Sequence, residues 1–426
     1  MDNLKGKKIL FLGASTYFYE AAQYAKENGA EIIAIDRRPK EECIVKQIAD
    51  KEFTMDTTDV ESIIDLVEKE SIDGIYPGAS EVNIPISIEV AEKTGLSKYC
   101  EMDQWKMATN KAIFKSTCEK YKLPISPTFK IDDINNDEQV NKIVYPVVTK
   151  PADNNGSTGI SICNDYESFI KGYKIAKEAS KSGQVLVEKK MNFEKSLIAH
   201  YTAQDGDVIF TGLTDKESKK LNDDSAPIMS VQFMPSSLTQ KFLDSVNDGI
   251  IKMLEGMDIK YGPIWIEVFY DEEGFYLNEI GYRYGGSLTY YPVDYFYGIN
   301  QMHLLVHYLA TGKALYKNFK TISLKKDRED KLYCILPMQV KKGKISSIKG
   351  LDEILKKDYT HAFIQSHIVG DVIEDTGTTH QVFGYIHLLA DSKEDLLGYI
   401  KEIRKNLLIE DQNGSNMLDI IYLRED

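Results

Sequence analysis

The chain has 426 residues, 42% apolar and 28% charged, with 52 basic against 66 acidic side chains and a net charge of −14. That length exceeds one ordinary core and implies about two to four domains of folded, globular character; so acidic a surface repels phosphate backbones, which argues against nucleic acid as a partner. No apolar run approaches the ~18 residues that span a bilayer, and the five cysteines are scattered, odd in number and without a CxxC pair, so neither a membrane anchor, a disulfide framework nor a structural zinc site is expected and the cytoplasm is the expected compartment.

The first hundred residues alternate strand and helix signals. Lys8–Gly13 reads as a buried strand, Tyr17–Asn28 as a helix stopped by Gly29, and Glu31–Asp36 as a second strand. Val60–Glu70 and Pro85–Thr94 read as helices around a third strand, Asp73–Pro77, with Gly95 as the second stop. This rhythm predicts a small parallel sheet with helices on both faces. Asp36 at the end of the second strand invites comparison with a dinucleotide fold. The loop Gly13-Ala14-Ser15-Thr16-Tyr17-Phe18, however, holds one glycine where a pyrophosphate fingerprint needs three. A structural domain is the better reading, and an NAD-dependent oxidoreductase is disfavoured.

From about Trp105 the pattern changes. A helix over Thr109–Tyr121 leads to hairpin-like segments, then a longer α+β region to about Lys313; the charged tract Lys317–Lys331 reads as a linker before a last hundred residues of mixed strands and helices. Three stretches carry chemistry. The first places Lys150 at the end of an apolar strand, followed by a polar loop with Gly156 and Gly159 and then a β-branched strand. Small residues leave backbone N–H groups open to phosphate oxygens and the lysine adds a cation, although Asn-Gly is also an ordinary turn signal. The second, Val185–Glu194, is a strand whose exit carries Glu188 and Glu194; a carboxylate there can accept from ribose hydroxyls and the backbone can meet an adenine edge.

The third runs from Ile264 through Glu267, Gly274, Glu279 and Arg283 to Gly286. A three-residue loop, Glu272-Glu273-Gly274, would set Asp271 opposite Phe275 and Glu267 opposite Glu279, with Cβ atoms about 5 Å apart. Like charges so placed call for a divalent cation, whose shell phosphates would complete. A two-residue loop would instead turn the two acids to opposite faces, and a surface hairpin paired with lysines is the ordinary alternative.

In this order the three stretches resemble the ATP-grasp superfamily, in particular the branch of L-amino acid ligases with its carbamoyl-phosphate-synthase-like and biotin-carboxylase-like relatives. The resemblance implies an N-terminal parallel α/β domain over 1–105, a two-lobed nucleotide-binding domain over 106–316 and a C-terminal α+β domain over 317–426. It implies ATP contacts from Lys111, Lys150, the loop Gly156, Ser157, Thr158 and Gly159, and from Glu188, Lys189, Met191 and Glu194. Glu267 and Glu279 match the magnesium ligands, where manganese could substitute, and Arg283 matches the arginine that stabilises the phosphoryl-transfer intermediate. The expected reaction joins a small carboxylate to an amine through an acyl phosphate, with a bicarbonate-using carboxylase as the alternative and a non-catalytic nucleotide binder as a third; a homodimer is compatible with it. Two positions depart from the family pattern: Gly281 stands where many relatives carry a metal-binding asparagine, leaving one or two magnesium ions open, and Trp265 where many ligases carry histidine. The tyrosines at 282, 284, 290, 291, 295 and 297 read first as packing and second as a pocket wall.

Overall fold

The computed structural model describes residues 3–153, 159–191, 195–221 and 227–420. Strands β1 (Lys8–Leu12), β2 (Glu31–Asp36), β3 (Lys51–Thr54) and β4 (Gly74–Tyr76) form a parallel sheet in the order β3-β2-β1-β4. Helices α1 (Thr16–Glu27), α2 (Ile44–Ile48) and α3 (Val60–Glu70) connect them, and α4 (Asn83–Thr94) follows β4. Alternation along each strand sorts the side chains to two faces. Ile9, Phe11, Ile32 and Ala34 share a core with Phe18, Ala21, Ala22 and Ala25 of α1, whereas Leu10, Leu12, Ile33 and Ile35 pack with Ile63, Leu66 and Val67 of α3. Apolar residues on both faces explain the unbroken runs seen in the sequence. The Phe18 ring lies over Gly13 and Gly78, where added Cβ atoms would come within 2.9 and 2.8 Å of it. It fills the space beside the loop that a pyrophosphate would need.

Helices α5 (Met102–Thr109) and α6 (Lys111–Lys120) are separated by Asn110, whose side chain caps α6 by accepting from the N–H groups of Ala112 and Ile113. The expected single helix therefore begins two residues later than read. A small antiparallel sheet follows, in the order β5 (Thr128–Phe129), β8 (Val185–Lys189), β6 (Val147–Pro151), β7 (Ser161–Cys163). Helix α8 (Tyr166–Ala179), which comes after the short α7 (Asp137–Val140), covers it through Phe169 and Tyr173.

The large sheet is antiparallel. Strands β9 (Lys195–Gln204), β10 (Asp207–Lys219) and β11 (Ile228–Met234) precede α9 (Thr239–Phe242) and α10 (Asp248–Gly256). The hairpin β12 (Gly262–Tyr270) and β13 (Phe275–Gly281) then leads to α11 (Tyr290–Tyr297), α12 (Gln301–Thr311) and β14 (Leu332–Val340). Beyond β14 come β15 (Gly343–Lys344), β16 (Ser347–Lys349), α13 (Leu351–Leu355), β17 (Thr360–Gln365), β18 (Val372–Ile373), β19 (Val382–Ala390), α14 (Lys393–Asn406), β20 (Leu408–Glu410) and β21 (Leu418–Asp419). The order is β13-β12-β9-β10-β11-β14-β19-β17, with β21 on β14. One sheet thus continues through the β11–β14 pairing from the β12–β13 hairpin into the C-terminal strands. The charged tract read as a linker is packed instead: Phe319 is buried and the Arg328 guanidinium stacks 4.3 Å from the Tyr295 ring centre. Among the described residues no helix is long and apolar enough to cross a membrane.

Candidate active site

The hairpin β12–β13 sets Glu267 opposite Glu279, by a route that differs from the one expected. Asp271 pairs with Gly274 through N–H to O contacts of 3.1 and 3.3 Å, so the loop is the two residues Glu272 and Glu273. The Asp271 carboxylate selects this turn by accepting from the N–H groups of Glu273 (2.9 Å) and Gly274 (3.3 Å). Tyr270 faces Phe275 and Val268 faces Leu277, a register that alone would put Asn278 opposite Glu267. A bulge between Glu267 and Val268 on one strand and Leu277 and Glu279 on the other absorbs Asn278 and brings Glu279 across from Glu267.

Asn278, singled out by no sequence motif, uses that bulge. Its side-chain N–H donates to Glu267 Oε2 at 2.6 Å, and its Oδ1 accepts from Lys150 Nζ at 2.9 Å. All three side chains are buried. The contacts extend on both sides. Lys216 Nζ pairs with Glu267 Oε1 at 2.7 Å, and Ser196 donates to the same oxygen at 3.1 Å. Lys150 and Lys115 each lie 2.9 Å from an oxygen of Glu188, and Lys111 lies 3.1 Å from Glu279. Lys111 and Lys115 stand four apart on α6 and so share a helix face, a spacing that could have disclosed Lys115 once Lys111 was chosen. Four lysines against three glutamates leave a local positive surplus on a strongly acidic protein, as a polyphosphate site requires.

Glu267 and Glu188 stay ionised in this setting. Burial would raise the Glu267 pKa, but Lys216, with the hydrogen bonds from Lys216, Asn278 and Ser196, brings it down to about 2. Burial likewise opposes ionisation of Glu188, and Lys150 with Lys115 outweighs it, so its pKa is lowered. Burial depresses the Lys115 pKa despite the attraction of Glu188. For Lys111 burial is overcome by Glu279, and its pKa is raised.

Beyond Lys111 and Lys150, the nucleotide-contact residues expected from the sequence differ in their surroundings. Gly156, Ser157, Thr158 and Glu194 lie outside the described residues. Gly159 adopts φ +78° and a Cβ there would strike Ala179, so only glycine fits the strand-side end of the loop. Lys189 ends β8 exposed, and Met191 is buried at 6%. The strand exit offers less backbone than expected, because the N–H groups of Lys189 and Lys190 already donate to Pro127 and Pro146 at 2.9 and 3.0 Å. Glu188, read as a hydroxyl acceptor, is 1% exposed, and its carboxylate is engaged by the two lysines.

Arg283 reaches across to the N-terminal domain, pairing with Glu81 at 2.6 Å and donating to the Tyr284 carbonyl at 3.1 Å. Its guanidinium also lies 5.6 Å from the ring centre of Trp265. Trp265 is the cross-strand partner of Gly281, and a Cβ on Gly281 would fall inside the indole. The two departures from the family pattern are thus a single packing arrangement. Among the described residues the buried Trp265 indole N–H has no hydrogen-bond partner.

Among the described residues no group of three or more His, Cys, Asp or Glu surrounds a metal position. Glu267 and Glu279 therefore fit an ion that takes most of its shell from phosphate and water, as magnesium does, and not one caged by protein alone.

Residues 143–290 match the family model of the ATP-grasp domain. The carbamoyl phosphate synthase large chain of Clostridium perfringens is 28% identical over 210 residues, 45% of this chain but only 20% of that protein, so the chain spans about a fifth of this relative's length. Among solved structures, the biotin carboxylase domain of Hydrogenobacter thermophilus 2-oxoglutarate carboxylase, in complex with MgADP and bicarbonate, superposes with a TM-score of 0.79 at 17% identity, covering 97% of this chain and 91% of that one. The L-amino acid ligase from Bacillus licheniformis gives a TM-score of 0.74 at 18% identity, covering 96% and 100%. Residues 143–290 thus match an ATP-grasp domain, and the fold built around them is similar to that of the biotin carboxylase domain and the amino acid ligase.

Proposed function

We propose that the protein is an ATP- and magnesium-dependent carboxylate–amine ligase, forming an acyl phosphate and ADP from a small acid and then an amide from an amine. The observation that carries this reading is the facing of Glu267 and Glu279 across one hairpin, within a cluster of four lysines. Magnesium, when bound, would neutralise phosphate charge between these two carboxylates. Lys111 and Lys150 supply fixed positive charge at the same place, and Lys111 stands ready to exchange Glu279 for a phosphate oxygen. Lys115 and Glu188 hold Lys150 in line from behind. Arg283, steered by Glu81, is placed to offset charge on the phosphoryl group in flight, so catalysis rests on positioning and electrostatics without a covalent nucleophile. The five cysteines are free and buried, which supports both that last point and a reducing compartment, the cytoplasm.

A bicarbonate-dependent carboxylation is the second reading, favoured by the likeness to the carboxylase fold. The test is an ADP-release screen with acids paired to amines, and with bicarbonate alone. Release that requires both an acid and an amine supports the ligase; release with bicarbonate alone replaces it. In the same assay Arg283→Ala is expected to cost about 3 kcal/mol or more of transition-state stabilisation, with nucleotide affinity largely kept. Unchanged turnover would remove Arg283 from the mechanism.

A further inference from the structure

Behind Arg283 lies a carboxylate to which the reaction as described gives no role. Glu20, on α1, is half-buried and accepts the Tyr290 hydroxyl on Oε2 at 2.7 Å and the Tyr291 hydroxyl on Oε1. It makes no ion pair among the described residues, unlike Glu81, which takes Arg283. The two tyrosine rings stack at 4.6 Å, and Tyr291 abuts the His387 ring at 4.9 Å and His361 at 6.0 Å. The groups hydrogen-bonded to Glu20 are the two tyrosine hydroxyls, with the imidazoles of His387 and His361 against the Tyr291 ring. Burial holds His387 neutral, its pKa brought down to about 3, and lowers that of His361, while the tyrosine hydroxyls beside Glu20 are kept protonated by burial and by its charge. His387 Nε2 lies near the Ser287 carbonyl yet has no hydrogen-bond partner of normal geometry.

A single anion walled by aromatic rings is a seat for a cation, since the carboxylate supplies charge and the ring faces add attraction. Its position suits a substrate. Tyr290 packs edge-on against Tyr284 at 5.2 Å, and the Tyr284 carbonyl receives Arg283. The Arg283 guanidinium lies 5.6 Å from the Trp265 ring centre, and space is open beside Gly286, between Arg283 and α11 in the chain. Three parts of the molecule close on the seat: α1, α11 and the β17 edge, where Thr16 donates to the Gln365 carbonyl at 2.9 Å and Tyr17 bonds Ser366 at 2.9 Å.

We propose that Glu20, clamped by Tyr290 and Tyr291, binds a primary ammonium group of the substrate. This rests on the ligase reading and names the residues that hold an ammonium group of its substrates. The group belongs either to the acid itself, as in an amino acid, or to the accepting amine.

The test uses the full chain with MgATP and hydroxylamine, which traps acyl phosphates as hydroxamates whatever the natural acceptor. L-Amino acids are compared with 2-hydroxy acids bearing the same side chains. If the ammonium is the acid's own, amino acids give hydroxamate and hydroxy acids are at least tenfold poorer; Glu20→Gln raises the amino-acid KM roughly tenfold to a hundredfold and abolishes the preference. If it is the acceptor's, both acids react alike and Glu20→Gln raises the KM of the amine in an acid-plus-amine ADP assay. Tyr290→Phe with Tyr291→Phe keeps the carboxylate and rings and should raise the same KM, and MgATP affinity and melting temperature report whether each variant is folded. Folded variants with unchanged KM values for acid and amine overturn the ammonium seat alone. ADP release with bicarbonate, and no hydroxamate from any acid, overturns the ligase reading and the seat with it.

Discussion

Two side-chain relations at the hairpin carry separate consequences. Trp265 and Gly281 occupy one volume, so an asparagine at 281 has no room while the indole is present. Gly281→Asn alone is expected to destabilise the fold by about 1–3 kcal/mol through overpacking. Trp265→His in the same chain should relieve most of that, giving a coupling of at least about 0.5 kcal/mol in a urea-denaturation double-mutant cycle. Additive effects would show that the two departures are independent. Asn278 is the second case. It joins Lys150 to Glu267 with the correct end of its amide toward each charge, so Asn278→Leu leaves a buried cation and a buried anion each short of one partner. Nucleotide affinity measured with magnesium should fall roughly tenfold, and the loss should shrink when magnesium is omitted, because Glu267 is then not being used as a ligand. Equal losses in both conditions would reduce Asn278 to a packing residue. Neither relation was legible beforehand: an asparagine in a strand announces nothing, and a glycine forced by an indole looks like a missing ligand.

Among the elements, α6 links Lys111 and Lys115 to the rest of the candidate site. Its Asn110 cap fixes where the first turn begins and so where Lys111 and Lys115 point, one to Glu279 and the other to Glu188. Asn110→Ala is expected to cost about 1 kcal/mol of stability. Fraying of the first turn should weaken ATP binding further than that stability loss explains, and Asn110→Ser, which restores the cap, should recover both. Thermal melts beside nucleotide titrations decide this, and an Asn110→Ala protein with unaltered affinity would detach the cap from the site. The sequence foretold most elements here, because alternation, helix stops and the apolar runs are local signals. It missed the bulge in β13, where a two-residue turn set by Asp271 and one extra residue reach the pairing that a three-residue turn was expected to give. Periodicity registers the total offset and cannot tell which residue absorbs it.

For the whole molecule, the parallel N-terminal domain was readable from its rhythm, whereas the continuous sheet through β11 and β14 was not, since Gln232 and Ile335 meet only after most of the fold is assembled. That assembly also buries histidines in several places, and its stability should depend on pH accordingly. Burial lowers the pKa of His200 and of His303 to about 4 and of His387 to about 3, from 6.5, and shifts His307 and His361 the same way. His200, His303 and His387 are neutral at mild acidity when folded and protonated there when unfolded, so the unfolded chain binds more protons below pH 6.5. The stability they contribute is complete above that pH and is lost as pH falls toward their folded values. Glu267 and Glu188, whose folded pKa values are depressed, add losses only below about pH 4.5; half-buried Asp215, shifted upward, works in the opposite direction. Between pH 6.5 and 5, therefore, the unfolding free energy from urea titrations should fall with a slope of more than one proton, about 1.4 kcal/mol per pH unit for each histidine that stays neutral. His387→Phe also loses the hydrogen bond to Tyr333, so its stability at one pH says little. Its slope is the telling quantity, and it should be shallower than that of the parent by close to one proton. An unchanged slope would mean that His387 is protonated, or reached by water, in the folded protein.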